Sequence, residues 1–392
     1  MAKHPAPQPQ LKAQDLHRWR LIEDFKARLA LAIEALPLDP TWSHPSRRLQ
    51  CLDYLSLFLL GLLNPVVRTM RGLCGASQLE RVQQEVSSRP VSLGSFSEAQ
   101  SLVDPALLEQ VFSQLAGEVA AKDGSPGAAG QVWLIQDGSL FDALPRMYWA
   151  LWRRRGGPQN QVRLHLSLEM GSDSPRRARI TPGRNCERAA WRTAMQPGEA
   201  YVGDRYYGED YRLLGQLEEG GVAFVMRLRE AAVLTRKEPL DLSEVDRQAG
   251  VLDQAWVWLG GKGHRLEQPL RVVWVQTPKE VLRLVTNLGP EELSAGEVAL
   301  LYHRRWQVEL FFRWLKCILG CRHWLAESPR GVAIELYLAL IAALLLQLYT
   351  GQRPNRRMME LIQFYLMGVA SLEELWAGLE RERQRVARQK TR

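Results

Sequence analysis

Along the first 120 residues the apolar positions recur at the three-to-four-residue spacing of helices. Leu16 to Leu36 is periodic, and Leu49 to Leu63 is a nearly continuous apolar run halted by Asn64-Pro65. Leu79 to Val86, Phe96 to Leu102 and Pro105 to Val119 follow, with Ser95 and Glu98 at capping-box spacing. These runs predict a helical N-terminal domain, 1–128, whose acids and bases are about balanced. Such a unit can read DNA or simply pack. Ala121 to Gly130, A-K-D-G-S-P-G-A-A-G, reads as the linker that ends it.

Beyond the linker the period shortens. Gln131 to Gln136 predicts a short buried strand ending on Asp137-Gly138-Ser139, although Asp-Gly also starts turns. Arg163 to Glu169 alternates as a second strand, and Ala178 to Thr181 suggests a third. Glu199 to Gly203 is another short strand, and it too ends on an aspartate, Asp204. A helix follows from about Asp210 to Glu219, then a strong strand from Val222 to Leu228. Arg229 to Leu282 alternates in runs such as Ala255 to Leu259 and Leu270 to Val275, which predicts a β-rich insertion. Val281 to Asn287 returns to the core, and Ser294 opens the next helical run.

That run, Leu300 to Leu319, contains no Pro and no Gly and predicts a single helix. At about 100° per residue, with Tyr302 at 0°, Arg305 falls near 300°, Glu309 near 340° and Lys316 near 320°. One polar wedge therefore carries a carboxylate among a phenol, a guanidinium and an ammonium. Leu300, Val308, Phe311, Leu315 and Ile318 take the opposite, packing side. Val332 to Tyr349 is long enough to cross a membrane, but Glu335 and Gln347 interrupt it and predict a buried core helix. Residues 351–392 predict two or three more helices and a frayed basic tail, with six cations from Arg381 to Arg392 against Glu382.

Composition adds a partner class. The net charge of +8 and pI near 9.3 favour a polyanion. Eleven arginines stand between Arg146 and Arg192, against only Glu169, Asp173 and Glu187, and arginine suits bidentate phosphate contact. The five cysteines are scattered and odd in number, which points to a reducing compartment. Cys317-x3-Cys321-x-His323 lacks the second half of a metal site and predicts buried apolar roles. Met1 to Leu11 is polar and Pro-rich with no apolar stretch of a secretory signal, so the expected location is the cytoplasm. His165 and His303 are expected to be structural.

Two strand-terminal aspartates and one helix-borne glutamate can converge at a sheet end. Such a cluster needs cations, and oxygen-only ligands suit Mg²⁺ or Mn²⁺. Two such ions serve phosphodiester chemistry. The chain offers no Ser-His-Asp order, P-loop or H-E-x-x-H to compete for the reaction.

The spacing Tyr302-x2-Arg305-x3-Glu309-x6-Lys316, set in Y-H-R-R-W-Q-V-E-L-F-F-R-W-L-K, resembles the Y-R-E-K signature of IS4-type DDE transposases of bacterial insertion sequences. Over roughly residues 130–350 the resemblance implies an α/β, RNase H-like catalytic domain at 129–350, with helical regions on either side. It implies Asp137, Asp204 and Glu309 as catalytic metal ligands, and Tyr302, Arg305 and Lys316 as contacts to the element's DNA ends. The implied reaction is cut-and-paste transposition by a homodimer on paired ends, in a nucleoid-associated enzyme. A DNA-binding protein that has lost catalysis and an RNase H-like nuclease without transposition are the alternatives. The chain departs from the pattern in two places. Tyr206 stands where relatives usually have Gly, and Val281 stands where some carry a base-stacking Trp, with Trp274 the nearest upstream. A hairpin route to excision is therefore not implied.

Overall fold

The computed structural model describes residues 20–390 apart from 124–126, 155–156, 197, 262–265 and 322. The expectations for Met1 to Leu11, for the start of Leu16 to Leu36, for the middle of the linker, for Arg155 and for the last two residues of the tail lie outside the described residues. Among the described residues the first helices are α1 (Arg20–Ala35), α2 (Cys51–Leu63), α3 (Met70–Ala76), α4 (Glu80–Glu85), α5 (Leu93–Leu102) and α6 (Pro105–Asp123). Strands β1 (Val132–Asp142), β2 (Leu151–Arg154), β3 (Gly157–Glu169) and β4 (Ser174–Pro182) follow. Then come α7 (Glu187–Arg192), β5 (Glu199–Gly203), α8 (Arg205–Gly208), α9 (Tyr211–Glu219) and β6 (Phe224–Arg227). The insertion contributes β7 (Leu234–Pro239), α10 (Glu244–Gln248), β8 (Val251–Leu259) and β9 (Leu270–Gln276), and β10 (Val281–Thr286) follows it. The rest is helical: α11 (Ala295–Arg304), α12 (Trp306–Cys317), α13 (Pro329–Thr350), α14 (Arg356–Leu366) and α15 (Leu372–Lys390).

These elements form two compact units, and neither is contiguous in sequence. One holds residues up to Ala121, Phe141–Val162 and Arg313 onward; the other holds Lys122–Leu140 and Arg163–Phe312. The division into 1–128, 129–350 and 351–392 expected from the linear pattern is thus not how contacts group the chain.

The second unit is built on a mixed sheet. Its neighbours run β3-β1-β5-β6-β10-β9-β8-β7, with β4 on β3. β5 lies parallel to both β1 and β6, whereas β10, β9, β8 and β7 pair antiparallel in turn. The first five strands, β4-β3-β1-β5-β6, with helices on the crossovers that flank β5, are the RNase H-like core. The insertion does not fold apart from it but prolongs the same sheet, because β10 pairs with β6. The apolar core of this unit gathers Leu134 of β1, Tyr201 of β5, Phe224 and Met226 of β6, and Leu213, Leu214 and Leu217 of α9, all fully buried.

The first unit is helical around α13. Its apolar residues from Val332 to Leu346 are nearly all buried, and α1, α2 and α5 pack on it. The length that would suit a membrane is thus spent on a core, as the interrupting Glu335 suggested. Two local expectations are corrected. The cap of α5 is Ser92, whose hydroxyl accepts from the Ser95 N–H, so Ser95 lies inside the helix and does not begin it. The basic tail is helical to Lys390, since the Glu382 carboxylate accepts from Arg385 (2.7 Å) and Asn355 (2.8 Å) and ties α15 to α14.

Candidate active site

β1 was expected to stop before Asp137, yet the strand continues to Asp142. What stops there is its parallel pairing. Register matches Val132 to Glu199 and ends with Ile135 opposite Val202. Continued two residues, that register would bring Asp137 level with Asp204, and the Asp204 charge is among those that raise the Asp137 carboxyl. Asp204 leaves β5 in extended backbone and caps α8, its Oδ1 accepting from the Tyr206 N–H at 2.9 Å.

The predicted long helix is broken once. α11 ends and α12 begins at Arg305, whose N–H reaches back to the Tyr302 carbonyl at 3.1 Å in a tighter turn. The packing face consequently departs from the ideal wheel. Val308, Phe311 and Leu315 are buried as expected, but Leu300 is 60% exposed and Ile318 is not in the core. α11 packs instead through Ala295, Val298 and Leu301. Its start is fixed twice, by a complete Ser294–Glu297 capping box and by Asp246 of the insertion, which accepts from the Gly296 N–H at 2.7 Å.

Arg305 joins the elements. Its guanidinium donates to Glu309 Oε1 at 2.6 Å and lies 3.7 Å from Asp137 Oδ2. Burial pushes the Asp137 carboxyl up to about 6, the Arg305 charge opposes this, and Asp204 and Glu309 add to it. Burial likewise raises the Tyr302 phenol, while Arg305 and Arg227 beside it pull the other way. Asp137, Asp204, Glu309, Tyr302 and Arg305 therefore share one electrostatic site. Lys316 stands on the part of α12 that belongs with the helical unit, its ammonium 4.8 Å from the Phe141 ring.

A further carboxylate escaped the sequence reading. Glu187, at the start of α7, forms an ion pair with Arg163 and accepts from the Tyr207 hydroxyl at 3.4 Å. Its side chain fills the space over Gly138, where a Cβ would come within 2.8 Å of Glu187 Cδ. Tyr207 is buried and feels the charges of both Asp137 and Asp204. The available signal was an acid placed among eleven arginines.

Among the described residues, no three Asp, Glu, His or Cys side chains are gathered closely enough to hold an ion. The donor chemistry nevertheless fits a hard divalent cation: three carboxylates, with a charge on Asp137 that burial and the Asp204 and Glu309 charges oppose. Of the remaining expectations, His165 is buried on Thr181 at 2.9 Å and held down to about 4, so it is neutral and structural. Cys321 is buried, but Cys317 is exposed and so is not part of a core. Trp274 is half-buried and packs against the sheet's core. Several of the clustered arginines are already paired within the second unit, Arg177 with Glu199 and Arg176 with Glu169 among them.

The family profile described as Transposase DDE domain matches residues 135–345. The chain belongs to the DDE transposases. A Sinorhizobium fredii protein named as transposase y4zB is 30% identical over 311 residues, covering 77% of this chain and 83% of that one. A Geobacillus stearothermophilus protein, named as a transposase for insertion sequence element IS5377, is 29% identical over 204 residues, 52% of each chain. Among solved structures the piggyBac transposase synaptic complex with hairpin DNA matches at 13% identity and a TM-score of 0.42, over 95% of this chain and 80% of that one, too loosely to argue from. DDE transposases are divalent-metal-dependent enzymes that cleave DNA and transfer strands, so this transposase binds DNA and acts on phosphodiesters.

Proposed function

We propose that Asp137, Asp204 and Glu309 are the catalytic carboxylates of an IS4-type transposase, and that together they hold two Mg²⁺ or Mn²⁺ ions. The supporting observation is the meeting of three elements. The register of β1 and β5, continued two residues, and the effect of the Asp204 charge on Asp137 support the pairing of these aspartates, and Arg305 links Asp137 to Glu309. When bound, the ions would activate the attacking oxygen and stabilise the leaving one. The chain's residues do the remaining work. Arg305 neutralises Asp137 and Glu309 in the metal-free protein. The planar fork of Arg305 also suits a DNA phosphate, which it would contact in the loaded enzyme. Tyr302 and Lys316 join it in gripping the element's ends. The chain would act as a homodimer on paired ends in the bacterial cytoplasm, by a cut-and-paste route. Trp274 is half-buried against the core and Val281 opens β10, so neither of these two positions supplies the base-stacking Trp of a hairpin step.

The test is cleavage of a plasmid carrying the element's two ends in Mg²⁺, beside binding of an end duplex. Asp137→Asn, Asp204→Asn and Glu309→Gln should each abolish cleavage and leave binding intact. Cleavage at the wild-type rate by any of the three would remove that residue from the catalytic set. Binding lost together with cleavage in all three would favour a scaffold role.

A further inference from the structure

Directly after Asp204 the fold places a second basic feature that the carboxylate site does not use. Arg188 and Arg192 come from α7, Arg205 from α8 and Arg229 from the segment after β6. All four turn toward just two acids, Glu209 and Asp210, at the junction of α8 and α9. Glu209 receives Arg188 Nη2 at 3.5 Å, Arg205 Nε at 3.8 Å, and Arg229 in a close ion pair. Asp210 receives Arg192 Nη2 at 2.5 Å and Arg188 Nε at 3.9 Å, while its other oxygen caps α9 through the Leu213 N–H. A cavity of about 360 Å³ opens among Arg188, Glu209, Tyr211 and Arg229, with Gly208 in its wall. A side chain at position 208 is excluded, since a Cβ there would lie 2.0 Å from the Arg227 carbonyl oxygen.

We infer that this cavity binds a backbone phosphate of the transposase's DNA, next along the strand from the one that meets Asp204. The inference rests on the proposed role of Asp204. Four guanidiniums on two carboxylates leave an excess of positive charge, and each guanidinium carries five donors of which one carboxylate uses at most two. Arg229 and Arg205 are 61% exposed at their side chains, so their unused donors are open to a ligand. Arg188 is held rigid: it donates to the Tyr206 carbonyl at 2.8 Å and stacks 4.0 Å from the Tyr206 ring centroid. A planar donor fork beside a fixed aromatic suits a tetrahedral polyanion better than a lone carboxylate, whose negative charge Glu209 already supplies. Tyr206, 40% exposed, stands between this cavity and Asp204 in sequence and gives the departure from the family's usual Gly a physical use as the support of Arg188.

The experiment uses the full chain without divalent metal, so that no cleavage occurs, and an end duplex titrated across a salt series. Arg229→Ala and the Arg205→Ala/Arg229→Ala pair should weaken binding and reduce the salt slope by about 0.9 for the phosphate lost. Arg229→Lys should restore the slope but not the full affinity, because it keeps the charge and loses the fork. Thermal melts accompany each variant. An unchanged slope in the double variant overturns the inference. So does a loss of binding that tracks a lowered melting temperature, which would mark these arginines as structural. Inorganic phosphate that protects the cavity while duplex binding ignores both variants would assign a small phosphate ligand, and that also overturns it. Failure of the wild type to bind its ends at all would instead strike the proposed function, so the two failures are distinct.

Discussion

At the scale of single residues, the site is set by close contacts that composition does not reveal. Gly138 follows Asp137, and Glu187 lies over it. Gly138→Ala must push aside a carboxylate that is paired with Arg163 and hydrogen-bonded by Tyr207. Overpacking of this kind costs roughly 1–3 kcal/mol, and here the strain falls next to Asp137. Cleavage should drop well beyond the stability loss, and cleavage rates beside denaturant melts would show it; a variant that melts lower yet cuts normally would divorce Glu187 from the site. Asp137 itself gives a pH prediction. Its carboxyl moves from 3.8 to about 6, so the folded chain holds a proton that the unfolded chain releases. Metal-free stability therefore falls as pH rises from about 4 to 6. Asp137→Asn cannot ionise, and should be more stable than wild type above pH 6 by up to about 2–3 kcal/mol, with no advantage below pH 4. Melts at several pH values in chelator check this, and a destabilised Asn variant at pH 7 would mean that Arg305 more than offsets the burial.

At the scale of elements, most of the secondary structure was legible, because a buried face leaves a period in the sequence. β5 was read with its observed ends, Glu199–Gly203, and α9 with its cap, Asp210. The misses have physical causes. Ser95 lost to Ser92 because Leu93 and Gly94 extend the helix backward, and either serine has the hydroxyl for a cap. The break at Arg305 was invisible because no Gly or Pro marks it. It follows from tertiary demands, the guanidinium being drawn to Asp137 on another element. The course of β1 past Asp137 was hidden for a similar reason, since what ends there is a partner strand. Within α13, Glu335 is 1% exposed and its Oε2 accepts from the Leu325 N–H at 3.0 Å. Burial pushes it from 4.5 up to about 8, with that hydrogen bond opposing. The folded state keeps this proton while the unfolded state loses it, so stability falls by about 1.4 kcal/mol per pH unit between pH 4.5 and 8 from this group alone. Glu335→Gln keeps an acceptor for Leu325 and should flatten that decline, with its largest gain near pH 8. Parallel pH–stability curves for the two proteins would refute the buried-acid account.

At the scale of the whole molecule, contacts group the chain into two units that its linear pattern does not mark. Periodicity is local, whereas each unit is assembled from segments far apart in sequence, with β1, β3 and α12 passing from one to the other. The three carboxylates follow that pattern, lying on β1, after β5 and on α12, over 170 residues of chain. Because all three belong to the second unit, a metal held in common as proposed would stabilise that unit, by RT ln(1 + [M]/Kd), or about 2.7 kcal/mol at a hundredfold excess over Kd. The metal must also take the place of a proton on Asp137 below pH 6 and of Arg305 at any pH. The first condition weakens apparent affinity by about tenfold per pH unit once the solution is more acidic than Asp137. The second predicts that Arg305→Ala binds the ion more readily while losing grip on DNA, since the competing cation is gone. Melting temperatures across a Mg²⁺ titration should rise for wild type at pH 7.5, rise at lower Mg²⁺ for Arg305→Ala, and barely rise for Asp137→Asn or Glu309→Gln. At pH 5 the wild-type curve should shift to higher Mg²⁺, and Asp137→Asn should show no such shift. Equal Mg²⁺ responses in wild type and both carboxylate variants would mean that the ion binds elsewhere, and the carboxylates would then have to be explained by their pairing with Arg305 alone.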